Sequence, residues 1–246
     1  MKNIIVTGAA GGMGRAMVLS FAQQGCNVFA CARADKNGFS SFLEETAQQN
    51  KVEIFPVFFD LTDPESIKAG VKQIMQMKKP IDILVNNAGV IHNALFMMTP
   101  IDTMRQVFEA NYFGPLLFTQ MIIKLMLRNP AENKNIINIA STAGLDCNPG
   151  KLTYGGSKSA LISATKTLAY ELGDLGIRVN AIAPSMIKTP MLEHDLSVEF
   201  QELEIKKKSI KRLGNIADVV NAVMFLSSEH SSYITGQVIR VDGGIC

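Results

Sequence analysis

An eight-residue stretch, Thr7-Gly8-Ala9-Ala10-Gly11-Gly12-Met13-Gly14, constrains this chain more than any other. It separates a short apolar run, Lys2 to Val6, from an amphipathic segment, Met13 to Gln24; a second apolar run, Cys26 to Ala32, follows. Strand, glycine turn, helix and strand in that order make a βαβ unit. Two strands joined this way run parallel, through a right-handed crossover. The alternation continues, predicting helices near Phe39–Gln49 and Pro64–Met77, strands at Val52–Phe59 and Ile81–Val85, and a long helix from Ile101 to Leu127. It then predicts strand Asn135–Ala140, helix Leu152–Leu172, strand Ile177–Ala183, helix Ile216–Ser227 and strand Gln237–Val241; residues 184–210 carry no firm period. No linker, repeat or low-complexity tract divides the chain. Residues 1–246 are expected to form one domain, an α/β doubly wound parallel seven-stranded sheet of Rossmann-like type. The strands are apolar runs rather than alternating ones, as expected where both sheet faces are covered.

Bulk properties exclude several functions. The net charge is +2, which gives no electrostatic case for nucleic acid or a membrane surface. Lys206 to Lys208 and Lys211–Arg212 cluster, but Glu199, Glu202 and Glu204 precede them, and a solvated helix face is the expectation. The longest apolar stretch, Pro115 to Leu127, is short and carries Lys124, so no membrane span is expected. Four cysteines without a C-x-x-C pair and three scattered histidines predict no metal site and no disulfide framework. A reducing, cytoplasmic setting fits, and the N-terminus enters a strand without a signal-peptide pattern.

In a doubly wound sheet, ligands bind beyond the carboxyl ends of the strands. Those ends carry Thr7–Gly14, Ala32–Arg33, Asp60–Leu61, Asn86–Asn87–Ala88–Gly89, Ser141 and Pro184 to Thr189. Polar and glycine residues at every tip are hard to explain as packing. Gly8, Gly12 and Gly14 permit a tight turn and close approach of backbone to a pyrophosphate, which a helix N-terminus attracts. An acid at the tip of the second strand would select NAD(H), and a base would accommodate a 2′-phosphate. Arg33 stands there, with Arg15 nearby, and NADP(H) is expected over NAD(H). Asp35 is the counter-argument, read here as a turn residue. Asp60 suits either an adenine amino group or a turn before Thr62–Asp63–Pro64.

The segment Ser141 to Lys158 reads S-T-A-G-L-D-C-N-P-G-K-L-T-Y-G-G-S-K. Tyr154 and Lys158 share one helix face. An ammonium beside a phenol favours the phenolate and would tune Tyr154 toward proton exchange near neutral pH. Many helices carry such a pair by chance, so the spacing alone is weak. Ser141 ends an apolar run and would present its hydroxyl to the same space.

Taken together, T-G-A-A-G-G-M-G, Asp60, the N-N-A-G of Asn86 to Gly89, Asn111, Ser141, Y-G-G-S-K from Tyr154 to Lys158 and the Pro184–Thr189 segment resemble the short-chain dehydrogenase/reductase family, over nearly the whole chain. The resemblance implies a carbonyl reductase or alcohol dehydrogenase. Tyr154 would be the general acid or base. Lys158 would lower its pKa and hold the nicotinamide ribose, Ser141 would polarise the substrate oxygen, and Asn111 would hold a water in a proton relay. Thr7, Gly8, Gly12, Met13, Gly14, Arg33, Asp60, Leu61, Asn87, Ala88, Gly89, Tyr154, Lys158, Pro184, Ile187 and Thr189 would meet the cofactor. The chain departs from the family's pattern at Ser185, where glycine is common, which would alter the polarity of the substrate pocket. The pattern is most similar to 3-oxoacyl-(acyl-carrier-protein) reductases, yet Leu175 stands where those place a basic residue for docking the carrier. Arg128 and Lys124 remain to supply charge, so an acyl-carrier-protein partner is left open.

The expected specificity loops, Val90–Thr99, Thr142–Thr153 and Ser185–Ile210, carry Ile91, Leu95, Phe96, Met97, Met98, Leu145, Met186, Met191 and Leu192. They suit an adaptable apolar pocket or simply pack together. His92, Asn93, Asp146, Asn148 and His194 would equally face a polar, sugar-like substrate. Helices apolar on more than one stripe, around Ile101–Leu127 and Leu152–Leu172, predict a homo-oligomer, dimer or tetramer. The alternatives are a dinucleotide-binding regulator without turnover and an NAD(H)-dependent sugar or alcohol dehydrogenase.

Overall fold

The computed structural model describes residues 1–130, 134–188 and 198–245. Thr189, Met191, Leu192 and His194 lie outside the described residues. The elements run β1 (Asn3–Thr7), α1 (Gly12–Gln23), β2 (Asn27–Ala32), α2 (Phe39–Asn50), β3 (Ile54–Phe58), α3 (Pro64–Gln76) and β4 (Ile83–Asn86). Next come α4 (Ile101–Phe108), a π-helical turn (Glu109–Phe113), α5 (Gly114–Met126), β5 (Lys134–Ile139), α6 (Leu152–Leu172) and β6 (Ile177–Pro184). The short β7 (Ile187–Lys188), α7 (Val198–Lys206), β8 (Gly214–Asn215), α8 (Ile216–Ser227) and β9 (Val238–Val241) close the order.

The main sheet has seven parallel strands in the order β3-β2-β1-β4-β5-β6-β9. Strand order reverses at β1, which pairs β2 on one side and β4 on the other, with Val6 opposite Ala30 and Val85. That reversal opens a crevice at the carboxyl ends of β1 and β4. Alternate residues serve opposite faces. Ile4 and Val6 join one buried cluster with Met17, Phe21 and Val223; Ile5 joins the other with Phe29, Leu84, Phe118 and Ile122. Burial on both faces is why these strands read as unbroken apolar runs. Local signals set the starts of helices: Asp63 caps α3 by accepting from the Glu65 N–H, with Pro64 in its first turn.

Residues 184–188 and 198–210 hold more structure than their sequence predicts: β7 pairs with β8 in a two-stranded parallel sheet, and α7 lies between them in the chain. Two-residue strands have no period to read. In α7 the apolar residues fall at 198, 200, 203 and 205, mixed with acids, which is not a helical stripe. The basic cluster is the expected solvated face at Lys206, Lys207, Lys211 and Arg212, which are exposed, with Arg212 gripping Asp218 through two hydrogen bonds at 2.6 and 2.9 Å; Lys208 departs from it and is 1 % exposed. Among the described residues no helix is long and apolar enough to cross a membrane, and no cluster of metal-binding side chains occurs.

Candidate active site

The crevice is lined by absent side chains. Gly8 has φ +65°, and a Cβ there would lie 2.8 Å from Ala88 Cα. On Gly14 a Cβ would sit 2.1 Å from the Gly8 carbonyl oxygen, so only glycine lets α1 start against the turn. Thr7 and Asn87 weld the two strand tips. The Thr7 hydroxyl accepts from the N–H groups of Asn87 (3.0 Å) and Ala88 (3.1 Å), and Asn87 Nδ2 donates to the carbonyls of Thr7 and Gly8. Behind them Asn86 Nδ2 donates to Thr119 and Asn138. Two observations fit a bound dinucleotide. The first-turn N–H groups of α1, Gly12 and Met13 included, meet no capping side chain, and Asn87 Oδ1 is buried without a hydrogen-bond partner.

Glycines also seat the polar cluster beside the crevice. Gly155 faces the Ala143 carbonyl, where a Cβ would come within 2.4 Å, and a Cβ on Gly144 would lie 2.8 Å from the Lys158 backbone. The turn after β5 therefore lies flush on α6, bringing the Ser141 hydroxyl close enough to the Tyr154 phenol to act on its proton affinity. Ser141 Oγ also accepts from the Ala143 N–H at 3.2 Å, which fixes its rotamer. Lys158 is 4 % exposed, and its ammonium donates to the Ile139 carbonyl at 2.8 Å. Asn111 is fully buried in the π-helical turn. Its Oδ1 accepts from the Val90 N–H (2.8 Å), and its Nδ2 donates to the Val90 carbonyl (2.9 Å) and Ser157 Oγ (3.0 Å). Such π insertions recur at functional sites. A Cβ on Gly89 would meet both Asn111 Oδ1 and Lys158 Nζ, so these groups converge on one point.

The electrostatics correct one expectation. Burial raises the Tyr154 phenol above its ordinary value, and the Ser141 hydroxyl only partly offsets this. The Lys158 ammonium, 6.0 Å from the ring centroid, does not reverse the direction. Burial also pulls Lys158 itself down to about 8. The sequence argument weighed the neighbouring charge and had no view of the desolvation that both groups share.

The remaining predicted residues fall as follows. Arg33 is exposed at the tip of β2. Thr62 donates two hydrogen bonds to Asp60 Oδ1, which with a smaller contribution from Arg33 hold that carboxyl below its usual value, so the turn reading of Asp60 is realised. Asp35 binds the N–H and hydroxyl of Ser40, a loop role as expected. Arg15 is committed elsewhere: it donates to the carbonyls of Ala10, Lys36 and Asn37 and lies over Phe39 and Phe42. Leu61 offers its carbonyl against Gly114. Pro184 ends β6 and is buried, and the Ile187 side chain points into the core against Gly214, so what it presents outward is backbone.

Ser185 does not face the pocket as expected. Its hydroxyl accepts from Lys208 Nζ at 2.6 Å, and Lys208 also donates to the Asp242 carbonyl. The side chain absent from a glycine is thus an anchor for a buried lysine. Asp146 likewise turns to Arg240, in a bidentate pair at 2.9 and 2.7 Å, rather than to a ligand. The sequence reading missed Lys151. Its ammonium lies 5.9 Å from the Tyr154 ring centroid and donates to Asn93 Oδ1 at 2.5 Å. The available signal was its position one helical turn before Tyr154.

A glycine-lined crevice at the switch point, with a buried lysine and a neighbouring serine and tyrosine beside it, defines the class: an oxidoreductase on a dinucleotide-binding α/β fold. A family model described as enoyl-(acyl carrier protein) reductase matches residues 8–246. The chain is 38 % identical over 244 residues to the 3-oxoacyl-[acyl-carrier-protein] reductase of Thermotoga maritima, covering 99 % of this chain and 97 % of that one. It is 35 % identical to the enzyme of the same name from Aquifex aeolicus, with coverages of 99 % and 97 %. Among solved structures, an NAD-bound 3-oxoacyl-[acyl-carrier protein] reductase from Brucella melitensis superposes with a TM-score of 0.85 at 30 % identity, covering 99 % of this chain and 90 % of that one. A 7α-hydroxysteroid dehydrogenase complexed with NADH and 7-oxo glycochenodeoxycholic acid gives 0.90 at 30 % identity, with coverages of 99 % and 94 %. The chain belongs to the short-chain dehydrogenase/reductase family and is an oxidoreductase that works with a nicotinamide dinucleotide.

Proposed function

We propose that the chain is an NADP(H)-dependent carbonyl reductase acting on 3-oxoacyl substrates, with Tyr154 as general acid, Ser141 as the second donor to the substrate oxygen, and Lys158 and Asn111 behind them. The observation that carries this reading is the Ser141 hydroxyl brought beside the Tyr154 phenol, with the buried Lys158 next to them, at the carboxyl edge of the sheet. Two hydroxyls held side by side suit one carbonyl oxygen that gains charge as it is reduced. That favours reduction of C=O, the chemistry in the relatives' name, over the C=C reduction in the family model's description. A phenol whose pKa burial has raised stays protonated through neutral pH, as a proton donor must. Lys158 keeps positive charge near the oxygen that loses the proton. Both N–H donors of the Asn111 amide are spent on Val90 and Ser157, and its Oδ1 accepts from Val90, which leaves the second lone pair of Oδ1 and the backbone of the π turn to hold the relay water.

The bound nicotinamide supplies the hydride. Thr7, Gly8, Gly12, Met13 and Gly14 would hold its pyrophosphate, Arg33 a 2′-phosphate, and Asp60 and Leu61 the adenine. Asn87, Ala88, Gly89, Tyr154 and Lys158 would line the ribose and nicotinamide, with Pro184, Ile187 and Thr189 at the far end. Arg33 supports NADP(H), because it is exposed and the Asp35 carboxylate is engaged by Ser40. The 3-oxoacyl substrate comes from the relatives' names and from the exposed apolar loop Leu95, Phe96, Met97 and Met98 beside the site. Leu175 is exposed and carries no charge where a carrier protein would need one, so the acyl group rather than its carrier is taken as the recognised part.

The test is titration of purified protein with NADPH and NADH, followed by a carbonyl panel that includes 3-oxoacyl thioesters, read at the nicotinamide absorbance. NADPH is expected to bind at least tenfold tighter and to drive reduction. Equal or tighter NADH binding overturns the Arg33 assignment. Binding without turnover of any carbonyl replaces the reductase by a dinucleotide-binding regulator.

A further inference from the structure

The loop that joins Ser141 to Tyr154 is held from the edge of the sheet. β6 separates β5 from β9, so those two strands stand about 10 Å apart, two strand spacings. Arg240, opposite Ala183 of β6, bridges that gap to Asp146 in the loop after β5. Its guanidinium is fixed on both sides. Two N–H groups meet the Asp146 carboxylate at 2.9 and 2.7 Å, and Nε donates to Asp242 at 2.7 Å. Asp242 is anchored in turn: its carboxylate accepts the Gly244 N–H at 2.9 Å, and its carbonyl accepts from the buried Lys208 ammonium at 2.9 Å. A bidentate fork of this kind fixes direction as well as distance. From Asp146 the hold passes to Ser141 through the backbone. The N–H groups of Asp146 and Leu145 donate to the Thr142 carbonyl at 2.8 and 2.9 Å, that of Gly144 to the Ser141 carbonyl at 3.0 Å, and that of Ala143 to Ser141 Oγ at 3.2 Å. Consecutive amides thus close one turn that begins at Ser141 and ends at Asp146.

We infer that Arg240 is a positioning residue for the proposed reduction: through Asp146 it holds the turn that aims the Ser141 hydroxyl, so the edge strand of the sheet sets the geometry of the site. The inference rests on the carbonyl-reductase reading and adds two residues that this reading leaves without a role. The pair contributes little to global stability, because its side chains are 34 and 38 % exposed and water screens their attraction. What it supplies is placement, and a displacement of about 1 Å at a reacting group costs on the order of 10²-fold in rate. Its hydrogen bond to Asp146 keeps that carboxyl below its usual value, against the opposing charge of Asp242. Removing the guanidinium alone therefore leaves two carboxylates in mutual repulsion, which drives the loop away from β9. Removing Asp146 as well relieves that repulsion.

The experiment compares the parent chain with Arg240→Gln, Asp146→Ala and the double variant. The carbonyl probe is ethyl acetoacetate, with whichever of NADPH and NADH the parent binds more tightly. The loss in kcat should be about tenfold in Asp146→Ala and about 30-fold in Arg240→Gln, with KM for nucleotide within about twofold of the parent in each. The double variant should sit near the Asp146→Ala level, whereas independent roles would multiply the losses to roughly 300-fold. An unchanged kcat in both single variants, or multiplied losses in the double, overturns the inference. Amide hydrogen exchange of the nucleotide-free proteins gives a readout that turnover does not supply. The N–H groups of Ala143 to Asp146 should exchange about tenfold faster or more in Arg240→Gln, while those of Ile4 to Val6 keep the parent's rate. Unchanged exchange in the turn, or faster exchange throughout the chain, rejects the positioning role. A parent with no Tyr154-dependent reduction would sink the carbonyl-reductase reading instead, and the exchange comparison alone then decides whether Arg240 holds the turn.

Discussion

Burying Lys158 has a thermodynamic signature that can be measured without substrate or cofactor. Its side chain is 4 % exposed, and desolvation pulls its pKa from 10.5 to about 8. At about 1.4 kcal/mol per pH unit, that drop corresponds to about 3 kcal/mol of differential stability. The sign follows from proton counting. Below pH 8 the lysine is charged in both states, and the folded chain carries the full cost of burying it. Between about 8 and 10.5 the unfolded chain binds a proton that the folded chain has released, so stability rises with pH across that window. Lys158→Met removes the titration. It also removes the hydrogen bond to the Ile139 carbonyl, but that is a constant offset in stability below pH 8 and does not create a slope above it.

The assay is urea unfolding of the cofactor-free parent and of Lys158→Met at pH 7, 8, 9 and 10, at one protein concentration so that assembly does not shift with conditions. The difference in unfolding free energy, parent minus variant, is expected to be flat up to about pH 7.5. It should then climb by roughly 2–3 kcal/mol by pH 10. A difference that stays flat, or falls, would show that the ammonium is solvated in the folded chain, and would remove the buried-cation basis of the site.

Other outcomes follow from single contacts. Gly14→Ala puts a methyl group 2.1 Å from the Gly8 carbonyl, so it should destabilise the fold by about 3 kcal/mol in thermal or urea unfolding and abolish nucleotide binding measured by titration. Ser185→Gly leaves Lys208 with the Asp242 carbonyl and costs about 2 kcal/mol in the same unfolding assay, with nucleotide affinity unchanged. Phe113, Leu152 and Tyr170 stand exposed on the π turn and α6, and we propose that a second copy of the chain covers them. Light scattering should then give the mass of a dimer or tetramer, and Phe113→Glu should lower it.

The sheet was legible because its information is local and repeated. Glycine turn, apolar run and helical stripe recur along the chain, and burial on both faces makes each strand conspicuous. Ser141, Tyr154 and Lys158 could be placed on those elements, but their spacing alone was weak; the resemblance to the family, which also supplied Asn111, is what named them. What stayed hidden depends on contacts across large separations. Ser185 finds Lys208 across 23 residues and Asp146 finds Arg240 across 94, and no spacing announces either pair. The roles of Gly144 and Gly155 depend on how closely the turn after β5 approaches α6, which only packing decides. The direction of the Tyr154 shift was misread because sequence reveals a neighbouring charge and conceals burial. The π turn at Asn111 also lies inside a stretch whose apolar pattern reads as one continuous helix.

The central claim is that the proton reaching the reduced carbonyl oxygen comes from Tyr154. Replacing it by phenylalanine keeps the ring, its packing and its place between Lys151 and Lys158, and removes only the hydroxyl. Measured side by side in one preparation, Tyr154→Phe should bind nucleotide within about threefold of the parent and lose about 10³-fold in kcat/KM, within the range that general acid–base catalysis supplies. Turnover within tenfold of the parent, with nucleotide binding intact, would contradict the claim.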